Sequence, residues 1–247
     1  MDYERQLFGM KMSEAQVLRE CIKNTTSLTY LALPGNLIDD DLMTILTKGL
    51  IINKTITQLD LSHNKIGSSG ARKIAKYVLQ SKILTHLNLC DNQLNYEASR
   101  FLCQALKHNS SLISLNLKLN RLDDKAGSKM CIDLQDSKTQ RLKEIDFSAN
   151  LLGNLFCEHL SEYLKLNENI QKVDVSCNEI EESNAAILKD SLEYNKNIIK
   201  CDVRNNKFHK DTVEEINEII NRNYLEYKKI PYHKPRKSLL LNLHNEK

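Results

Sequence analysis

The sequence predicts an α/β fold in which seven short parallel strands alternate with helices. Three observations predict it. An apolar pattern, Leu-x-x-Leu-x-Leu-x-x-Asn-x-Leu, recurs seven times, with a step of 28 residues and a single step of 30. The asparagine of the pattern is present in every copy. Within each copy the apolar period changes from two to about 3.6, as expected for a strand followed by a helix.

This regular pattern is typical of a leucine-rich-repeat solenoid, with a concave parallel sheet and helices on the convex side. Because one repeat cannot bury its apolar face alone, the array is expected to fold as a single stacked core. A step of 28 residues with a full helix resembles the ribonuclease-inhibitor-like subfamily. The seven copies begin at Leu28, Ile56, Leu84, Leu112, Leu142, Ile170 and Ile198.

The asparagine column is interpreted as structural. Each asparagine follows the end of a strand, where its amide can donate to and accept from main-chain groups that the turn leaves unpaired. A stacked ladder of such bonds explains every member without a binding role. The column consists of Asn36, Asn64, Asn92, Asn120, Asn150, Asn178 and Asn206.

The helical half of each repeat carries one apolar face. In the second repeat this face is formed by Ala71, Ile74, Ala75 and Val78. Gly67 and Gly70 stand at the turn into that helix, and we interpret them as local backbone solutions that imply no phosphate loop.

The ends divide the chain into three predicted parts. Residues 1–27 read as a capping half repeat with a helix over 13–23, and residues 28–229 form the solenoid. A helix over 211–228 is expected to close the array. Residues 230–247 form a basic tail, which is either a disordered segment or an anchor that orders on a partner.

Charge is balanced overall but uneven along the chain. The net charge is +3, whereas the segment from Ile220 to the end holds seven Lys or Arg against two Glu. We therefore predict that Lys234, Arg236 and Lys237 contact acidic neighbours. The balance predicts no nucleic-acid partner. The two extra residues of the long repeat fall within 135–141 and are expected to bulge a rim loop.

The sequence contains no motif of a catalytic, nucleotide-binding or zinc-binding site. Its seven cysteines form no CxxC pair, and we interpret them as reduced, mostly core thiols of a cytoplasmic protein. No apolar run approaches the about 20 residues that span a bilayer. We therefore predict a protein that is not an enzyme, without a cofactor, a metal or a membrane contact.

Recognition is expected on strand residues that point away from the core. Four aspartates lie in one such column, although the spacing between strands is too long for one metal ion to bind more than two of them. We predict a protein partner with basic or amide-rich side chains. The predicted partner-binding residues are Gln58, Asp60, His86, Asn88, Asn116, Lys118, Glu144, Asp146, Lys172, Asp174 and Asp202.

Several segments resemble one family. LDLSHNKIGSSGARKIAK, LNLCDNQL, NSSLISLNLKLNRLDDKAG, VDVSCNEI and DVRNNKF are similar to the leucine-rich-repeat subunits of the axonemal nexin–dynein regulatory complex, the T-complex-associated testis-expressed family. The likeness runs from about Gln6 to Tyr227. Lys118 and Leu119 make the fourth repeat its most specific part.

The resemblance implies a scaffold in the cytoskeleton of the cilium, within the axoneme. Such a subunit would help to link doublet microtubules and regulate dynein, as part of a hetero-complex. Its expected partners are other axonemal subunits, including coiled-coil proteins, and tubulin. The alternative is a leucine-rich-repeat GTPase activator or another cytosolic adaptor, but GTPase activators usually have more repeats and an acidic tail.

Overall fold

The computed structural model describes residues 9–136 and 141–229. Seven parallel strands form one open sheet in chain order, each hydrogen-bonded to the next. Each strand is three residues long. The strands are β1 Tyr30–Ala32, β2 Gln58–Asp60, β3 His86–Asn88, β4 Ser114–Asn116, β5 Glu144–Asp146, β6 Lys172–Asp174 and β7 Lys200–Asp202.

A helix follows each strand, and one further helix precedes the first. This alternation confirms the predicted leucine-rich-repeat solenoid. A short 3-10 turn, Glu182–Asn184, leads into the seventh helix. The helices are α1 Met12–Asn24, α2 Asp40–Ile52, α3 Ser68–Gln80, α4 Tyr96–Leu106, α5 Asp124–Gln135, α6 Asn154–Leu166, α7 Ala185–Tyr194 and α8 Lys210–Lys229.

Strand register follows the repeat pattern. Equivalent residues pair across every strand boundary, so that the central residue of each strand is buried in one continuous core. Ser114 pairs with Glu144 across the long step, and the two extra residues therefore cause no shift in the sheet. The predicted rim bulge itself includes residues 137–140, which lie outside the described part.

The first and last helices, α1 and α8, are each one residue longer at both ends than predicted. Helix α1 buries Ile22 and packs Leu18 against the core, as expected of a cap. The three-part domain division stays a prediction, because the tail contacts Lys234, Arg236 and Lys237 lie outside the described residues.

The capping helix α1 packs closely against α2 at Gly49. A Cβ atom built there would lie 2.6 Å from the backbone oxygen of Arg19 in α1. Alanine normally stabilises a helix interior by up to about 1 kcal/mol relative to glycine. We expect Gly49→Ala instead to destabilise the protein by about 1–3 kcal/mol, because α1 must shift. Denaturant unfolding measures the change.

Lys48→Ala, at an exposed position next to Gly49, is the control and should change stability by less than about 0.5 kcal/mol. A Gly49→Ala protein as stable as the parent would contradict the close packing of the two helices.

Candidate functional site

The last residue of each strand forms a column on the sheet face. Most members of this strand-end column accept a hydrogen bond from the backbone two residues further on. Asp60 Oδ1 accepts the Ser62 amide at 2.9 Å. Asp146 Oδ1 accepts both the amide and the hydroxyl of Ser148, at 2.9 and 2.7 Å. The same amide bond is accepted by Asn88, Asn116 and Asp174.

These bonds are Asx turns, and they hold one side-chain atom of each residue against its own backbone. The other atom is left to face the sheet surface. Among the described residues, no hydrogen bond or ion pair uses the second carboxylate oxygen of Asp146 or Asp174. In Asn88 and Asn116 the corresponding atom is an amide nitrogen, which is a donor. The column therefore presents both acceptors and donors in a fixed order.

Asp202 differs from the other aspartates of the column. Arg204 Nη2 donates to Asp202 Oδ2 at 2.6 Å, and Arg204 Nε donates to both carboxylate oxygens. The guanidinium hydrogen bonds lower the pKa of Asp202. Three of the four aspartates in the predicted line therefore keep an available carboxylate oxygen. Asp202, in the last strand of the sheet, does not.

The first residue of each strand forms a second column, the strand-start column. Lys172 Nζ donates to Glu144 Oε1 at 2.6 Å, so these two predicted contacts neutralise each other. His86 is exposed and lies 2.8 Å from the Thr85 hydroxyl. Ser114 is the smallest member, and a shallow depression lies beside it. Its lining includes Ser114, Asn116, Glu144, Asp146, Lys172 and Asp174.

Gln58, at the start of β2, and Lys118, two residues beyond β4, are also exposed. The structure therefore places all eleven predicted residues on one surface. It separates them into residues with an available polar atom and residues already paired within the protein.

One structural feature just beyond the strand ends could not be recognised from the residue types. A column of residues beyond the strand ends adopts left-handed backbone, with φ between 51° and 68°, although only one member is glycine. The residue types vary, so composition alone does not reveal the column. Leu119, flagged by its unusual type, is a member and is exposed. The members are Gly35, His63, Asp91, Leu119, Ala149, Cys177 and Asn205.

The predicted asparagine ladder is present. Asn64 Nδ2 donates to the carbonyls of Leu33, Leu61 and Ser62 at 2.9 Å, and its Oδ1 accepts two amides of the preceding repeat. Each interior member thereby binds two adjacent repeats together. This network fixes the position of the strand ends and hence of the sheet-face atoms.

A second ladder occupies the turns from helix to strand. Asn53 and Asn109 are buried and donate to carbonyls of the preceding repeat. Asn195 and Asn223 continue the ladder at the other end. Only the contacts across repeats identify this second set.

Aspartates of one repeat cap helices of the next. Asp40 Oδ1 accepts the Gly67 amide at 2.7 Å, at the start of α3. Gly67 has φ −101°, which is outside the left-handed region, so its backbone conformation does not require glycine. A Cβ at Gly70 would instead lie 2.6 Å from Asp40 Oδ1. The interpretation of these glycines as local backbone solutions is therefore wrong, and close approach of Asp40 is the reason.

The interpretation of four cysteines as core residues is confirmed. Cys103, Cys131, Cys157 and Cys201 are buried, and burial raises the pKa of Cys157 to about 12. The described residues include no group of three or more side chains suited to hold a metal ion. None of the described helices is long and apolar enough to cross a membrane.

Comparison with known families supports the repeat assignment. The family described as Leucine Rich repeat matches residues 53–75 and 108–131, which include the second and fourth strands. Together with the seven-stranded sheet, this match identifies the fold. The chain has a leucine-rich-repeat fold.

Among curated proteins, the chain is similar to dynein regulatory complex subunit 5. It is 49% identical to the Chlamydomonas reinhardtii protein over 41 residues, which are 17% of this chain and 10% of that protein. It is 36% identical to the Mus musculus protein over 72 residues, which are 29% of this chain and 14% of that protein. These matches confirm the predicted resemblance, although they span only a small part of the relatives' length.

The solved structures that match the chain have lower sequence identity. An internalin from Listeria monocytogenes has a TM-score of 0.47 and 14% identity, over 86% of this chain and 62% of that chain. Leiomodin-1 actin-binding site 2 has a TM-score of 0.40 and 13% identity, over 89% of this chain and 94% of that chain.

Proposed function

We propose that this chain is a non-enzymatic protein-interaction module of the dynein regulatory complex, located in the axoneme of the cilium. The names of its curated relatives support membership of that complex. The module binds another subunit through the sheet face and thereby contributes to a scaffold between larger parts of the axoneme. Tubulin and coiled-coil subunits are the partner classes that the resemblance favours.

The observation that carries this proposal is the strand-end column. Its polar atoms are held in place by Asx turns and by the asparagine ladder beneath them. A side chain that is already ordered loses little conformational entropy on binding, which favours recognition. The second carboxylate oxygens of Asp146 and Asp174, which are not used by the Asx turns, suit a partner with basic side chains.

The structure suggests a sharp test, Asp146→Asn combined with Asp174→Asn. Asn88 and Asn116 show that asparagine makes the same Asx turn in this column, so the double variant removes two charges while the turns remain. We expect its affinity for the dynein regulatory complex to fall at least about tenfold, because two close charge pairs with basic side chains of the partner are lost. Co-purification with the complex at increasing salt measures the change.

The control removes the same charge from the helix side. Asp190→Asn combined with Glu218→Gln alters two exposed acidic residues on α7 and α8 and should leave binding unchanged. Equal recovery of the complex by the parent and the strand-end variant would show that the sheet face is not the binding surface.

A further inference from the structure

We propose that the partner bound by the sheet face is an α-helix, which lies across strands β2 to β6 and places about one turn over each strand. This inference rests on the proposed function and specifies the partner of that same surface. The helix contacts the strand-end column and carries side chains in an order set by Asp60, Asn88, Asn116, Asp146 and Asp174.

The spacing of the column favours a helix. Its members are register partners on adjacent strands, so successive side chains are separated by the strand spacing of about 4.8 Å. A helix repeats its side chains along one face about every 5.4 Å, which is close to that step. An extended segment repeats side chains on one face only about every 6.8 Å and would lose register within three strands.

Backbone hydrogen bonding leads to the same conclusion. The amides of Leu61, Leu89 and Leu117 donate to carbonyls of the neighbouring strand, so the sheet has its backbone bonds satisfied internally. An extended segment lying on this face would find no backbone partners for its own N–H and C=O groups. A helix satisfies those groups within itself and needs only side-chain contacts.

The available atoms define the chemistry of the helix. Asp60, Asp146 and Asp174 each present a carboxylate oxygen, which requires Lys or Arg on the partner. Asn88 and Asn116 present amide donors, which require an acceptor such as Gln, Glu or Asn. The partner face therefore reads basic, acceptor, acceptor, basic, basic at successive turns.

This order is not symmetric, so it also sets the direction of the helix. Running the helix the other way would place one acceptor over Asp146 and one cation over Asn88, and would leave both mismatched. The depression beside Ser114 leaves room for a long side chain to reach Asp146 from the middle of the helix. The partner chemistry is thus a charged helix whose contact face is polar.

Photo-crosslinking in the native complex tests the inference. A benzoylphenylalanine placed singly at Gln58, His86 or Ser114 faces the bound partner from three adjacent strands. Mass spectrometry then identifies the partner residue captured from each position. We expect the captured residue to advance by about three positions per strand, since the strand spacing divided by the helical rise of 1.5 Å gives about 3.2.

The matched control carries the same probe at Lys76, an exposed position on α3. It should not capture that partner segment. Combining the Ser114 probe with Asp146→Asn and Asp174→Asn should reduce the crosslink yield at least about tenfold, in line with the loss of binding expected above.

The outcomes separate the two proposals. An advance of one to two partner residues per strand would indicate an extended segment and overturn the helix, while the sheet face stays the binding surface. A protein that co-purifies with the dynein regulatory complex but gives no crosslink from any of the three positions would overturn the helix and the sheet face together. A parent chain that does not join the complex would overturn the proposed function itself.

Discussion

Replacing Asn150 with alanine is expected to destabilise the protein by about 3 kcal/mol, because the two N–H groups and the oxygen of its amide make about three hydrogen bonds worth about 1 kcal/mol each. Asn150 Nδ2 donates to the carbonyls of Leu117, Phe147 and Ser148 at 3.0 to 3.2 Å, and its Oδ1 accepts the Leu122 amide at 3.1 Å. The side chain is buried, so water cannot replace these bonds. Denaturant unfolding followed by circular dichroism measures the loss.

Asn36→Ala is the matched control. Asn36 is the first member of the same column, but within the described part of the chain its Nδ2 donates to the nearby Pro34 carbonyl alone, and the residue is partly exposed. We expect a loss below about 1 kcal/mol, typical of a single hydrogen bond. Equal losses at Asn36 and Asn150 would contradict the view that bonds between repeats make the ladder important.

Asp124→Ala is expected to lower the free energy of unfolding by about 2–3 kcal/mol, because it removes the cap of a helix in the next repeat. Asp124 accepts the amides of Gly153, Leu155 and Phe156 at 2.9, 3.2 and 2.7 Å. These amides begin α6, whose N-cap is a glycine without a side chain to bond them. A carboxylate here makes three charged hydrogen bonds and interacts favourably with the helix dipole. Thermal and denaturant unfolding measure the effect.

A graded series identifies the cause. Asp124→Asn retains one oxygen that can accept the Gly153 and Phe156 amides, so we expect about half the loss seen with alanine. Asp190→Ala removes an exposed partner of Lys165 and should cost less than about 1 kcal/mol. A loss from Asp124→Ala no larger than that of Asp190→Ala would show that capping between repeats contributes little.

Much of the fold could be predicted because the repeat applies the same constraint many times. The apolar columns and the asparagine column set the strand register, and Ser114 pairs with Glu144 as their alignment predicts. The same alignment placed Asp60, Asn88 and Asp146 in one column on the sheet face. Residue identity and period were sufficient, since a strand of three residues leaves little choice of which side chain points outward.

The state of each sheet-face side chain required the structure. Asp146 and Asp202 occupy equivalent positions, yet only Asp202 forms a salt bridge with an arginine two residues away. Nothing in the repeat pattern distinguishes Arg204 from the serines at the same position in other repeats, because its hydrogen bonds depend on where the side chain turns. The order of available acceptors and donors is therefore a property of the packed molecule.

The sequence by itself determined the solenoid, its seven-strand register and the surface on which recognition is proposed, because these follow from local periodicity. Only the tertiary structure decided that Asp40 and Asp124 cap helices of the following repeat and that Gly67 and Gly70 make room for one of them. These contacts join residues that are far apart in the chain, and they arise only when one repeat is stacked on the next.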